Sequence, residues 1–286
     1  MKTLVIKSER DSFERTVNGW LKNENIDLLC LDKKITGIKK RKYYCSQFKE
    51  YSKKRYDKVI IFDNTTAFLY AHFYFHQPFL WFWNTISDKK IEHLRIKLCS
   101  FMKCKMYSFD EGDCKKYKLS YNTQFFQKSI DAVKTNRDAY FVGTDKGRYE
   151  LIKKVYNHLI EHDIKPLFQI IPDNEKEYEL AEIIHKGFVE YDTVLQNVSS
   201  SKVILDITKR GQTGMTMRAM EALFYDKKII TNNPLYTNLP FYRKDAVFIL
   251  NDNLDGLVEF INAADITYDD SIKDYYSIEN WLRRFQ

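Results

Sequence analysis

The chain has 286 residues, of which 44% are hydrophobic and 30% charged, with a formal net charge of +7. That length suits two modest domains or one large one with a sizeable core, and the balance excludes a disordered polypeptide. The opening "MKTLVIKSERD" reaches charge after six residues, too soon for the apolar core of a signal peptide, and the most apolar run, "AFLYAHFYFHQPFLWFW", carries two His, a Gln and a Pro and falls short of the roughly 20 clean apolar residues of a spanning helix.

In chain order, "TLVIKS" reads as a strand. Residues 12–22 have helical spacing through Phe13, Val17 and Leu21. "IDLLCL" is a second strand, residues 33–42 ("KKITGIKKRK") a basic loop, residues 43–55 a helix and "KVIIFDN" a buried strand. The apolar run 67–83 divides into a helix end, a turn at Gln77 and Pro78, and a buried strand, "PFLWFWN". Residues 91–102 are helical, "KMYSFD" is a strand and "EGDCKKY" a short helix or turn. Residues 127–137 are polar and without strand signal, which marks a domain boundary. Beyond it "DAYFVGTDKGRYELIKKVYNHLIEHDIKPLFQIIPD" is a βαβ unit, followed by strands at "FVEY", "KVILDI", "KIITNN" and "AVFIL" and an aromatic helix in "SIKDYYSIENWLRRF". Strands alternating with helices imply parallel sheets covered on both faces. The fold class is therefore α/β, with two Rossmann-like domains over residues 1–130 and 138–286 facing a cleft, and the last helix returning to the first domain.

The charge is uneven. Residues 1–130 carry 26 Lys+Arg against 14 Asp+Glu, a balance of +12; residues 131–286 carry 20 against 25, a balance of −5. A basic first half suits an anionic surface: acidic lipid, a phosphorylated glycolipid or nucleic acid. The basic loop 33–42 and the stretch 43–55 are the segments expected to face acidic lipid. Five cysteines without a CxxC pair point to reduced, mostly buried thiols in the cytosol.

Two loops carry chemistry. "TKRGQTG" follows "KVILDI" and opens a helix over residues 215–224. The free N–H groups at such a helix start make an anion site. Gly211 and Gly214 allow close approach of a phosphate, and Thr213 or Thr216 can cap the helix. Arg218 adds a fixed charge, and Glu221, three residues on, can accept from the hydroxyls of a ribose. The second loop, in "FVGTDKGRYELI", places Gly143, Lys146, Gly147 and Arg148 between a strand and a helix, without matching a Walker or GxGxxG pattern.

The stretches "FVGTDKGRYELI", "TVLQNVSSSKVILDI" and "GQTGMTMRAMEALFYDKKIITNN" resemble those of GT-B glycosyltransferases, in particular bacterial enzymes that build lipopolysaccharide or capsule. The resemblance implies a C-terminal domain that holds a nucleotide-sugar. In it Glu221 binds the ribose, Gln212, Thr213 and Gly214 form the diphosphate or sugar loop, and Gly143 with Lys146 or Arg148 meets the phosphates. Where many retaining members carry a second acid eight residues before the ribose acid, this chain has Thr213, so the resemblance fixes neither donor sugar nor stereochemistry.

No DxD motif is present, so the phosphate charge falls to Lys, Arg and helix ends, with no metal and no cofactor beyond the nucleotide-sugar substrate. For a catalytic base, Asp11 is preferred because it follows the first strand, with Asp63 and Asp110 behind it; His72 and His76 read as packing residues. The expectation is a cytoplasmic transferase, peripheral at the inner face of the membrane, with a glycan or glycolipid acceptor and no nucleic-acid partner. Its rivals are a basic nucleic-acid-binding protein, which would bind in a salt-sensitive manner, and an inactive glycosyltransferase-like subunit.

Overall fold

The computed structural model describes residues 2–8, 12–173, 177–209 and 211–286, the side chain of Ile38 excepted. The chain divides into two compact units, Met1–Thr123 with Trp281–Gln286, and Gln124–Asn280. The division thus falls after Thr123, ahead of the polar segment 127–137 where the sequence reading set it.

The first unit holds a parallel sheet of six strands: β1 (Thr3–Ser8), β2 (Ile26–Leu31), β3 (Lys58–Phe62), β4 (Phe79–Phe82), β5 (Lys105–Ser108) and β6 (Ser120–Tyr121), in the order β2-β1-β3-β4-β5-β6. Its helices are α1 (Ser12–Leu21), α2 (Gly37–Ser52), α3 (Thr65–Ala71), α4 (Lys90–Phe101) and α5 (Glu111–Tyr117). The central strands are apolar on both faces because helices cover both: Leu4, Val5 and Ile6 of β1 and Ile60 and Ile61 of β3 are fully buried, with Val5 in register with Ile60.

The second unit repeats the plan with five parallel strands: β7 (Arg137–Thr144), β8 (Pro166–Ile171), β9 (Ser201–Asp206), β10 (Lys228–Thr231) and β11 (Val247–Ile249), in the order β11-β10-β9-β7-β8. Its helices are α6 (Tyr149–Glu161), α7 (Tyr191–Ser199), α8 (Met217–Phe224), α9 (Leu257–Asn262) and α10 (Asp270–Tyr275). α6 shows why such segments fold as they do: Ile152, Val155 and Leu159 recur at helical spacing, and all three are fully buried. Counted from its own first strand, each sheet runs second-first-third-fourth-fifth, so the winding reverses beside β1 in one unit and beside β7 in the other. In open α/β sheets ligands bind outside the carboxyl ends of the strands at that reversal.

Four local expectations change. "FVEY" is not a strand: Phe188 is 79% exposed while Tyr191 turns inward as the first residue of α7, so the two aromatics serve different surroundings. The basic segment 33–42 is helical from Gly37, because Tyr44 and Phe48, four residues apart and both buried, extend α2 backward with its lysines outward. The C-terminal helix breaks after α10, and α11 (Ile278–Arg283) follows it. All five cysteines are free, but only Cys99 is buried and Cys30 is exposed. Among the described residues, no helix is long and apolar enough to cross a membrane.

The C-terminal segment is a structural part of the first unit. Trp281 is fully buried, with its ring 5.8 Å from that of Trp81 and 5.6 Å from that of Phe62. Lys58 Nζ donates to the carbonyls of Leu282 (2.9 Å) and Phe285 (2.5 Å), and Arg284 Nε donates to Asn122 Oδ1 (2.8 Å). Removing a fully packed tryptophan leaves a cavity that neighbours fill only in part. Trp281→Ala should therefore cost about 3–5 kcal/mol in urea unfolding of the whole chain; a loss below about 1 kcal/mol would mean that the segment is not part of that core.

Candidate functional site

The winding reversal of the second unit lies between β7 and β9, and the two loops singled out in the sequence leave the sheet there. After β7 the chain turns through two residues in the left-handed region, Lys146 (φ 46°) and Gly147 (φ 77°). Asp145 is fully buried at this turn. Its Oδ1 accepts from the N–H groups of Arg148 (2.8 Å) and Tyr149 (2.7 Å), and its Oδ2 from the Tyr178 hydroxyl (3.1 Å). The start of α6 is therefore capped by the protein's own carboxylate. Positive charge at this edge comes from side chains instead.

Those side chains are Arg148 and Arg218. Arg148 donates from Nε to Asp145 O (2.9 Å), from Nη1 to Ile207 O (2.6 Å) and from Nη2 to Thr144 O. Arg218, in the first turn of α8, donates from Nη1 to Val142 O (3.0 Å) and from Nη2 to Asp206 Oδ1 (3.3 Å). Both guanidiniums lie against the ring of Phe141, at 5.6 and 5.2 Å from its centroid. Between them is Gly143, where a Cβ would stand 3.1 Å from Arg218 Nη1 and 3.3 Å from Arg148 Nη2. Only glycine lets the two cations come this close to the strand end.

The electrostatics follow from that crowding. Burial, and after it the charge of Arg218, lowers the pKa of Arg148 to about 10, which leaves it cationic at neutral pH. Loss of solvent, then repulsion from Arg148, Lys209 and Arg218, holds the Lys146 ammonium below the ordinary lysine value. Four cations thus bear on one strand end. Arg218 Nε is buried and has no hydrogen-bond partner among the described residues.

Asp206, fully buried at the end of β9, organises the other side. It accepts from Arg218, from the Thr216 hydroxyl at 2.5 Å and from the Tyr236 hydroxyl. Thr216 also accepts from Arg218 N (3.1 Å) and so caps α8. Of the two threonines proposed for that cap, the structure uses Thr216. The loop itself is tied down by the two asparagines that end "KIITNN". Asn232 Oδ1 accepts from Thr208 N (2.8 Å), and Asn233 Nδ2 donates to Thr213 O (3.0 Å). Gln212 Nε2 donates to Gly214 O (3.0 Å), inside the same loop. Gly211 takes a left-handed turn (φ 83°) and Gly214 is buried. Sequence reasoning missed Asp145, Asp206 and both asparagines. The signal was present: an acid closes the otherwise apolar run "KVILD" where a buried strand meets its loop.

Glu221 differs from the expectation of an accessible ribose ligand. It is 3% exposed, and its Oε1 accepts from the Tyr191 hydroxyl at 2.9 Å. Oε2 is buried and has no partner among the described residues. Burial outweighs the opposing effects of Tyr191 and Arg218 and raises the carboxyl from 4.5 to about 7. The structure therefore brings Gly143, Lys146, Arg148 and Arg218 together at the strand end, while Gln212, Thr213 and Gly214 form the tied loop and Glu221 lies inside the fold one helical turn beyond Arg218.

In the first unit, a cavity of about 340 Å³ opens at the corresponding reversal, lined among others by Lys7, Ser8, Tyr44, Asp63, Trp83 and Arg95. Asp11 lies outside the described residues. Asp63 accepts from Trp83 N (2.8 Å), Asn84 N (3.1 Å) and Asn84 Nδ2 (2.7 Å). Asp110 caps α5 by accepting from Asp113 N (3.0 Å). Both reserve carboxylates thus have structural duties. His72 Nδ1 lies 2.9 Å from Phe68 O, in keeping with a packing role.

No family model and no characterised protein matches this sequence. The fold is similar to that of an alpha-glucosyltransferase solved with UDP and a 13-mer DNA containing an HMU base, with a TM-score of 0.54 and 10% identity over 99% of this chain and 95% of that one. T4 phage BGT solved with UDP-glucose (TM-score 0.46, 12% identity, 92% of this chain and 88% of that one) and the glycotransferase of kitacinnamycin (0.44, 9%, 98% and 94%) are more remote in fold. The architecture is the GT-B type, two Rossmann-like α/β units in one chain.

The raised carboxyl has a measurable consequence. Glu221 holds its proton in the folded chain up to about pH 7, whereas unfolded it ionises near 4.5. The folded state is therefore favoured below pH 4.5 and loses that advantage as pH rises through about 7. In urea unfolding, Glu221→Gln should gain on the parent across this window by on the order of 3 kcal/mol; parallel pH profiles would show that the carboxyl ionises freely.

Proposed function

We propose that the chain is a glycosyltransferase that moves a sugar from a nucleotide-sugar donor, a nucleoside diphosphate-sugar, to an acceptor hydroxyl. The observation that carries this is the meeting of Arg148 and Arg218 over Gly143 at the winding reversal of the second unit, within range of the Lys146 charge. A diphosphate brings the dispersed negative charge that such a cluster lacks, and it gains charge as the sugar leaves, so fixed cations favour the transition state over the ground state. Arg218 Nε, buried and unpartnered, supplies a donor that a phosphate oxygen would satisfy.

In this reading the acceptor oxygen forms a bond to the anomeric carbon as the bond to the donor's phosphate oxygen breaks. The electron pair stays on the diphosphate, and the hydroxyl proton passes to a base. We assign the base to Asp11 and the charge neutralisation to side chains alone, without a metal. The loop of Gln212, Thr213 and Gly214 would border the sugar. Glu221 Oε2 is assigned to a ribose hydroxyl, which requires the cover over it to open on binding. UDP is the nucleotide to test first, since the alpha-glucosyltransferase of similar fold was solved with it. The acceptor, a glycan or glycolipid, would enter the cavity of the first unit, whose mixed charge and aromatic walls (Tyr44, Trp83) suit a sugar. The free cysteines favour a reducing compartment, the cytoplasm, and a glycolipid acceptor would bring the enzyme to the membrane's inner face.

A second reading, a nucleic-acid acceptor, is favoured by the +12 balance of residues 1–130 and by the DNA in the alpha-glucosyltransferase complex. It requires salt-sensitive duplex binding.

Titration calorimetry tests the donor site. Arg218→Ala should weaken UDP binding by about ten- to a hundredfold and change uridine binding by less than about twofold, because the contact is to phosphate. Equal losses for both would place Arg218 elsewhere, and a parent chain that binds neither would remove the reading.

A further inference from the structure

The first unit exposes an apolar helix face that its core does not use. α4 turns Ile96 and Cys99 into the sheet. On its opposite side Ile91, Leu94, Leu98 and Phe101 recur at spacings of three, four and three, which set them in one stripe of a 3.6-residue helix. They are 52%, 63%, 47% and 87% exposed. Met102 continues the stripe at 49% exposure. Isolated exposed apolar residues are ordinary; a continuous stripe of five is not.

The charges around it have one sign. Residues 88–105 carry six Lys or Arg against two acids, and Lys89, Lys90, Lys97, Lys103 and Lys105 are exposed. Both acids are engaged: Glu92 accepts from Thr65 (3.2 Å) and Arg95 (3.5 Å), and Asp88 pairs with Lys116 at 3.6 Å. Lys90 and Lys97 lie along one margin of the stripe, by their helical angle.

We infer that α4 is the face by which this protein docks in the surface of a bilayer containing anionic lipid. An apolar stripe with lysines at its margin lies in the plane of the interface, side chains among the acyl chains and ammonium groups at the headgroups. Lysine is depleted where proteins bind proteins, and a lysine margin amid an excess of positive charge fits a partner protein poorly. Nucleic acid would use the lysines and leave the stripe in water. The segments 33–42 and 43–55, chosen from sequence for their charge, show no such stripe among the described side chains: Tyr44 and Phe48 of α2 are turned into the core. The docking face does not rest on the donor site. Vesicle binding is measured without donor or acceptor, so either proposal can fail alone.

The test is co-sedimentation with phosphatidylcholine vesicles, with and without phosphatidylglycerol. The parent chain should bind the acidic vesicles far more tightly than the neutral ones. Leu94→Ser with Phe101→Ser, at exposed positions, should leave the thermal midpoint unchanged and weaken binding by about tenfold or more. Phe101→Trp should keep binding and shift its emission to the blue on acidic vesicles. The proposal is overturned if the parent ignores acidic vesicles, if the double variant binds them as the parent does, or if the tryptophan emission stays that of water. It is equally overturned if the parent binds duplex DNA but not vesicles, or if the stripe is covered by a second copy of the chain at the concentrations used.

Discussion

Everything at the second unit's strand edge depends on two guanidiniums held side by side. Like charges in a partly buried place repel, and the fold accepts this only because each cation is anchored. Carbonyls of Val142, Thr144, Asp145 and Ile207 take their N–H groups, and Asp206 supplies a buried countercharge to Arg218. The carbonyls are available because strands end here and the next loops leave on opposite sides of the sheet. Gly143 matters because a Cβ there would stand 3.1 and 3.3 Å from the two guanidiniums, and both would have to shift to admit it. Arg218 is placed by a short α8, whose cap, Thr216, is fixed by the same Asp206. Sheet topology, one glycine and one acid thus define the cationic edge together.

Much of this was legible. The βαβ unit, both strand–loop–helix junctions and the residues Gly143, Arg148 and Arg218 stand out in the sequence, because apolar runs, glycines and arginines are local signals. What escaped was non-local. "TKRGQTG" reads as a helix start that binds anions through its backbone, but it is held by Asn232 and Asn233, which follow the next strand and lie 24 and 20 residues from their partners. Likewise Asp145 reads as a loop acid, and only the fold shows it occupying the start of α6. "FVEY" failed for the same reason: alternation in four residues cannot say that Phe188 meets solvent and Tyr191 the core. The exposed stripe of α4 carries ordinary helical spacing, and nothing in the sequence says which of its faces the sheet covers.

Glu221 shows the limit of spacing arguments most directly. Three residues from Arg218, it was expected to share a ligand with it. Helical geometry does put them one turn apart, but α8 is only eight residues long and its inner face is buried against α7, where Tyr191 meets the carboxyl. A group that is protonated up to about pH 7 in the folded chain is a different partner for a ribose than an open carboxylate would be. Its second oxygen is buried as well, so the proposed bond to a ribose hydroxyl needs that oxygen to be uncovered first.

In the proposed function a diphosphate sits where the two arginines meet. A structure of the chain with UDP bound tests it most directly. Diphosphate oxygens should lie within about 3.2 Å of Arg218 and of Arg148 or Lys146, above Gly143. A diphosphate lodged elsewhere, with both guanidiniums still bonded only to strand-end carbonyls and Asp206, would contradict it.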